Sequence, residues 1–375
     1  MTILYVFRSL AVWGGIERIL IEKMNHLVRM YGYDVYMLTT DQGHHPLPYA
    51  LDRSVHLEDL GIRFHQQYQY SGIHKLLVAN RLRQRFEEKL SNRIAKIQPD
   101  VIVCTTANYV DLDCIVRHKG DIPLVVESHS NYRDTFGRPG LHSRYADFHY
   151  HRSLRKAQVI VALTAGDAAD WRRRYPTVAV IPDMVHVSEG KMSDLSGKRV
   201  VFVGRFDYQK RPMEVIRIWQ MVHPRFPDWQ LDIYGEGEDE HELKETASSL
   251  SMNINIHPPT KDIFDIYCQS SILVSTSLFE PFGMVIPEAM SCGLPVVSYN
   301  CPFGPSDIIT DGKDGFLVGL DDREAFANRL ALLMGDIALR RQMGSMAMAV
   351  SDRFSVVRIM PLWKTLFEDL VSLTK

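Results

Sequence analysis

The segment Phe279-Glu280-Pro281-Phe282-Gly283-Met284-Val285-Ile286-Pro287-Glu288-Ala289 sets two carboxylates eight positions apart around a glycine-hinged turn. A carboxylate held where a loop becomes a helix accepts hydrogen bonds from sugar or ribose hydroxyls. The exposed backbone N–H groups of such a turn receive phosphate oxygens. One peptide of this kind can touch both the sugar and the diphosphate of a nucleotide-sugar. Glutamates are common in first helical turns for dipole reasons, so the spacing alone says little. Its setting says more. The apolar run Ile272-Leu273-Val274 before it reads as a buried strand, Ala289 to Cys292 as a short helix ended by Gly293, and Pro295 to Ser298 as another strand. Both acids then lie at a strand's carboxyl end, where open α/β sheets bind ligands.

A second chemical stretch is Gly204-Arg205-Phe206-Asp207-Tyr208-Gln209-Lys210-Arg211-Pro212, directly after the strand-like Val200–Val203. Arg205 falls at that strand's end and Lys210 just before a helix that Pro212 opens. Two fixed cations there can hold a diphosphate and stabilise its charge as it leaves. As mere surface cations they would oppose the helix dipole. Gly14-Gly15-Ile16-Glu17 forms the first strand-to-helix turn, and glycine allows close approach of backbone to ligand. The dinucleotide fingerprint G-x-G-x-x-G is absent there. Tyr234-Gly235-Glu236-Gly237-Glu238 lacks its third glycine and carries acids where a phosphate would sit, so a nicotinamide enzyme is disfavoured. His129 ends the run Val125-Val126-Glu127-Ser128. In that position a histidine is ordinarily a hydrogen-bonded structural residue. His44-His45, His149-x-His151 and Asp111-x-Asp113 lack a third ligand nearby or lie outside the donor half, so no metal site is expected.

The elements that must position these groups follow a βαβ rhythm. Strands are expected at Ile3–Phe7, Val35–Leu38, Val101–Cys104, Leu124–Glu127 and Val159–Leu163, with helices over Ile16–Met30 and Asn80–Ile97. A polar stretch, Val185–Lys198, reads as a linker. The rhythm then restarts with strands at Val200–Val203, Gln230–Tyr234 and Asn253–His257, interleaved with helices at Pro212–Met221, Glu240–Leu250 and Asp262–Cys268. Helices over Asp321–Met334 and Leu339–Val350 follow, and Val356–Leu373 is amphipathic. We therefore expect an α/β protein of two Rossmann-like domains facing each other across a cleft, residues 1–186 and 198–355. The helix at about 356–375 should pack back on the first domain.

The chain's 375 residues suffice for two cores, and 46% hydrophobic with 23% charged residues is ordinary for a soluble globular protein. The net charge of −2 conceals an asymmetry: residues 1–186 hold 24 Lys and Arg against 19 Asp and Glu, and the remainder 19 against 26. The basic half lacks the interleaved aromatics of a nucleic-acid reader, so an anionic membrane surface is the better partner. Arg81, Arg83, Arg85, Lys89, Arg93 and Lys96 on the Asn80–Ile97 helix and Arg172-Arg173-Arg174 carry that expectation. Five cysteines without a CxxC, and a first strand with no basic segment before it, point to a reducing cytoplasm.

The ordered set Gly14-Gly15, Gly204-Arg205 with Lys210, Gly235-Glu236-Gly237 and Glu280 to Glu288 resembles the GT4 family of retaining glycosyltransferases, which have the GT-B fold. The stretch Asn300-Cys301-Pro302-Phe303-Gly304-Pro305, with Asp311-Gly312 and Gly315-Phe316, is similar to bacterial members that build surface polysaccharides. The resemblance implies that Arg205 and Lys210 contact the donor diphosphate, Glu288 the ribose hydroxyls and Glu280 the transferred sugar. The backbone of Gly283, Met284 and Val285 reaches sugar and phosphate, Gly15 lies against the phosphate, and His129 is a positioning partner for the sugar. It further implies a nucleoside-diphosphate sugar donor, UDP favoured, carrying a hexose or N-acetylhexosamine. The acceptor is a hydroxyl of a glycan or lipid-linked glycan, and no metal is required; with the basic half above, the expectation is a cytoplasmic enzyme in peripheral contact with the inner face of the cell membrane. Two alternatives stay open: a GT-B epimerase or hydrolase that needs no acceptor, and a non-catalytic polysaccharide-assembly protein.

Overall fold

A computed structural model describes residues 1–105, 109–136, 141–187 and 190–373. The chain forms two compact units. One comprises Met1–Leu163, Asp167–Ile181 and Met360–Lys375, the other Thr164–Gly166 and Pro182–Ile359.

The first unit is built on seven parallel strands: β1 (Thr2–Phe7), β2 (Asp34–Thr39), β3 (His56–Asp59), β4 (Val101–Thr105), β5 (Leu124–Glu127), β6 (Val159–Ala162) and β7 (Val178–Val180), in the order β3-β2-β1-β4-β5-β6-β7. Strand β1 is central, with Leu4 beside Tyr36 on one side and Ile102 on the other. Every residue of β5 and β6 is buried, which is why these strands read as unbroken apolar runs and not as alternations. Leu82, Phe86, Leu90 and Ile94 recur at helical spacing and are the buried stripe of the helix Gly72–Ile97. That helix starts eight residues before the expected Asn80: its N-cap is Ser71, whose side chain makes no capping hydrogen bond. The helix Val356–Ser372 buries Met360, Trp363 and Phe367, and from Met360 onward it belongs to this unit.

The second unit has six parallel strands: β8 (Arg199–Val203), β9 (Gln230–Tyr234), β10 (Ile254–His257), β11 (Ile272–Ser275), β12 (Val296–Tyr299) and β13 (Gly315–Val318), in the order β10-β9-β8-β11-β12-β13. The strand order reverses between β8 and β11, and their ladder consists of Val200 with Ile272 and Val201 with Leu273. Past those pairs β8 stays on β9 as far as Val203, and β11 stays on β12 as far as Ser275. The sheet therefore parts at its switch point, where α/β folds bind ligands.

The helix after β11 spans Val285–Ser291, so it opens before Glu288 and not after it as the sequence suggested. Pro287 is its third residue, where the missing N–H would have had no helical acceptor, so it permits the earlier start. The stretch from Pro182 packs on this unit. Ser193 N donates to Cys292 O at 2.9 Å, Leu195 is buried, and the buried Arg340 guanidinium donates to Leu195 O at 3.2 Å.

Candidate active site

Two loops leave the parted strands β8 and β11, and both are held by hydrogen bonds that fix their groups. In the β8 loop Gly204 N donates to Tyr234 O at 3.0 Å and Phe206 N to Glu236 O at 2.8 Å, while the Phe206 ring is wholly buried. Gly235 and Gly237 are explained by this contact. A Cβ on Gly235 would run into Gly204 O, and one on Gly237 into Phe206 O. The Gly-x-Gly after β9 is thus a seat for the β8 loop and not a phosphate cradle. Asp207 accepts from Lys210 N at 2.9 Å, and Thr276 Oγ1 donates to Lys210 O at 3.1 Å, so the lysine's backbone is fixed from both loops.

The β11 loop carries Glu280. Its N–H donates to Pro302 O at 2.7 Å, and its carbonyl accepts from Phe303 N at 2.8 Å and Gly304 N at 3.0 Å. The residue is 2% exposed. Lys210 Nζ stands 2.5 Å from Glu280 Oε1, and Ser277 Oγ donates to the same oxygen at 2.7 Å. The other oxygen, Oε2, makes no hydrogen bond among the described residues and is not sealed from solvent. A buried acid with one oxygen committed and the other open can take a ligand hydroxyl without losing its cation. Gly283, at φ 94°, turns the chain from Glu280 into the helix, and its carbonyl accepts from Ile286 N at 3.0 Å. Met284 and Val285 follow at the helix start, and Glu288 lies in the first turn, 7% exposed.

Arg205 is the exposed member of the set. Its guanidinium donates to Gln209 Oε1 at 2.8 Å and pairs with Asp207 at 3.1 Å. Gln209 Nε2 in turn donates to Phe279 O at 3.1 Å, and Leu278 N to Gln209 O at 2.8 Å. Gln209 therefore ties the arginine loop to the peptide just before Glu280. The sequence reading missed Gln209, Asp207 and Ser277. Ser277, three residues before Glu280, was the legible one, since a hydroxyl that close to a buried acid is a natural donor. Cys301 lies against the same pair. Burial pushes its thiol up to about 12, Glu280 adds to this and Lys210 opposes it, so it is not a nucleophile. His257 stacks on Tyr234 at 4.4 Å and lies 3.3 Å from Asp232.

In the first unit Glu127 at the end of β5 is fully buried. Lys23 Nζ lies 2.5 Å from its Oε1, and His129 Nε2 3.0 Å from its Oε2. Burial pushes the Glu127 carboxyl up, but Lys23 and His129 outweigh this and hold it below the usual range. The Lys23 ammonium also lies 3.9 Å from the centre of the Trp363 ring. Glu127 thus fixes the orientation of the His129 ring. A Cβ on Gly15 would meet nothing within 4 Å, so internal packing does not demand glycine there. The Asp111-x-Asp113 pair is divided: Asp113 is held by Arg83 and, at 3.0 Å, by Arg117. Asp111 stands apart, its carboxyl pushed up to about 7 by burial, with Arg8 opposing and Asp41 reinforcing the shift. His151 Nδ1 lies 2.5 Å from the Tyr175 hydroxyl and its ring stacks on Phe136 at 4.2 Å. Among the described residues no three His, Cys, Asp or Glu side chains gather as metal ligands.

Family comparisons meet this geometry along nearly the whole chain. The model of glycosyl transferases group 1 matches residues 189–349, and that of glycosyltransferase family 4 matches residues 13–189. The chain belongs to the GT4-type glycosyltransferases. An uncharacterized glycosyltransferase of Haemophilus influenzae is 24% identical over 94% of this chain and 95% of its own. An α-1,4-N-acetyl-D-galactosaminyltransferase of Campylobacter jejuni, acting on a diphospho-undecaprenol-linked glycan, is 23% identical over 95% and 96%. Among solved structures, TarM of S. aureus superposes with a TM-score of 0.80 at 16% identity, covering 98% of each chain. The Anabaena protein HepE in complex with UDP-glucose gives 0.72 at 20% identity, covering 98% of this chain and all of its own. The glycosyltransferase therefore has the GT-B fold, and the loops after β8 and β11 are those of its second Rossmann-like domain.

Proposed function

We propose that this glycosyltransferase is a retaining, metal-independent enzyme. It moves a hexose or N-acetylhexosamine from a UDP-sugar to a hydroxyl of a glycan or lipid-linked glycan in bacterial surface-polysaccharide synthesis. The observation that carries the reading is Lys210 beside the buried Glu280 where β8 and β11 part. In this reading Lys210 and Arg205 neutralise the diphosphate as the anomeric C–O bond breaks, and the backbone of Gly283, Met284 and Val285 adds N–H donors. Glu280 binds the sugar through Oε2 and Glu288 binds the ribose. The acceptor hydroxyl attacks from the face the nucleotide leaves, and its proton passes to the departing phosphate oxygen. Gly15 and His129, the latter oriented by Glu127, complete the assignment in the first unit as phosphate and sugar contacts. UDP is favoured because HepE was solved with UDP-glucose, and a lipid-linked acceptor because the Campylobacter relative uses one. Work at the cytoplasmic face of the membrane, by peripheral contact with anionic lipid, belongs to the same proposal. Among the described residues no helix is long and apolar enough to cross a bilayer.

The test is thermal stability with UDP, GDP, ADP, CMP and NAD, each with and without EDTA. A ligand at about one hundred times its Kd adds roughly 2.7 kcal/mol. A shift with UDP that survives EDTA supports the reading; a shift with NAD alone overturns it. Turnover of a UDP-sugar without any acceptor would turn the assignment to the hydrolase alternative.

A further inference from the structure

The helix Gly72–Ile97 is longer than the core it covers. Its buried residues begin at Leu82, and none of residues 72–79 is buried. On these first turns Ile73, Leu76 and Leu77, at i, i+3 and i+4, are 74%, 70% and 62% exposed. Tyr68 and Tyr70, on the turn leading into the helix, are 69% and 48% exposed. Single exposed apolar residues are ordinary, but five large ones within ten residues are a patch, and such patches mark interaction surfaces.

The charge around the patch indicates what covers it. From Gly61 to Phe86 the chain has no Asp or Glu, yet it has Arg63, Lys75, Arg81, Arg83 and Arg85. Arg63 is paired with Asp59, and Arg83 with Asp113 and Glu87. Lys75, Arg81 and Arg85 are in no ion pair among the described residues, and the Lys75 ammonium stands 4.7 Å from the centre of the Tyr68 ring. On the outward side of the helix the apolar residues give way to the exposed Asn80, Arg81, Gln84 and Arg85. An apolar tip, tyrosines at its edge and a cationic collar behind it match the layers of an anionic bilayer: acyl boundary, interface, phosphate. We infer that residues 68–85 are a membrane-docking element, with Ile73, Leu76 and Leu77 entering the headgroup region and Lys75, Arg81 and Arg85 meeting lipid phosphates. This deepens the proposed membrane partner, but it involves none of the donor residues.

Flotation of the full chain with vesicles of phosphatidylcholine, or of phosphatidylcholine with phosphatidylglycerol at 7:3, tests it at low and high salt. The wild type should float with the anionic vesicles at low salt and stay behind with the neutral ones. Arg81→Gln/Arg85→Gln should weaken binding about thirtyfold, the effect of two charges at roughly 1 kcal/mol each. Leu76→Gln/Leu77→Gln should weaken it at least as much. Both variants should keep the wild-type melting temperature and the UDP-induced shift, so failure of docking is separable from failure of the transferase reading. Undiminished flotation of Leu76→Gln/Leu77→Gln overturns the inference, as does a wild type that never floats. A wild-type dimer that this variant makes monomeric, with no flotation, would instead make the face an interface between copies.

Discussion

Replacing Lys210 with Met separates the structural from the chemical role of the Lys210–Glu280 pair. The Glu280 side chain is 3% exposed and that of Lys210 16% exposed, with 2.5 Å between the charged atoms. Taking the ammonium away leaves a buried carboxylate with Ser277 as its hydrogen-bond donor. Breaking a buried pair from one side costs about 3–5 kcal/mol. We expect the low end, about 3 kcal/mol, because Oε2 retains solvent contact. Glu280→Gln keeps the Ser277 bond and strands only a lysine that reaches water, a loss of about 1–2 kcal/mol. The double variant removes both charges, so its loss should fall short of the sum by about 2 kcal/mol. Urea unfolding of the four proteins at one pH reads this coupling. Activity should behave differently. Losing a preorganised charge on the leaving group costs about 10²–10³ in kcat, and Glu280→Gln cannot restore it. Single-turnover cleavage of the donor reads that second quantity. Additive stability losses would refute the pairing, and a Lys210→Met enzyme within tenfold of wild-type kcat would refute the assignment of Lys210 to the diphosphate.

Gly237→Ala should push the β8 loop off its seat, because the new Cβ meets Phe206 O; kcat/KM should fall more than tenfold while far-UV circular dichroism stays unchanged. Glu127 has its carboxyl held low in the folded state, so its contribution is present above the ordinary 4.5 and lost as pH falls through the folded value. Glu127→Gln should therefore flatten the acid limb of a stability–pH curve measured by urea unfolding. Asp167 has the opposite sign: burial raises it to about 6 against the donors Tyr132 N and Trp171 Nε1, so stability declines as pH rises from 3.8 through 6. Asp167→Asn should gain on the wild type by up to about 3 kcal/mol between pH 4 and pH 8, and an unchanged difference over that range would contradict the shift. Trp363→Ala should cost about 3–5 kcal/mol in urea, because it both leaves a cavity and uncovers Lys23.

The elements that were legible are those whose burial is complete. The runs Val101–Cys104, Leu124–Glu127 and Ile272–Val274 announce parallel strands because both faces are covered. Leu82, Phe86, Leu90 and Ile94 announce a helix because only one stripe is buried. Edge strands β3 and β7 passed unseen, since His56–Asp59 has no buried residue and Val178–Val180 is only three residues long. Lys210 and Glu280 could be picked out separately, but their contact spans 70 positions in sequence and depends on where β8 and β11 part. Gly235 and Gly237 could be read as special without revealing why, because the reason is the backbone of another loop. The exposed apolar tip of residues 68–77 has helical spacing in its second half, but periodicity does not say whether a stripe faces core or water.

The Trp363 ring over the buried Lys23 has a consequence for biosynthesis. Residues 1–181 leave the ribosome long before Met360, Trp363 and Phe367, and domains fold as units with the amino-terminal one first. Until the last helix arrives, the nascent first unit shows an uncovered apolar face around the Lys23 ammonium, which is a natural chaperone substrate. Residues 1–181 made alone should stay in that state, and the same polypeptide supplied with residues 356–373 in trans should leave it. Met1 and Ser372 line one small cavity of about 340 Å³ together with Asp100 and Glu368. A circular permutant in which the last helix is translated first, and runs through a short linker into β1, would therefore let this unit finish folding before the second one exists.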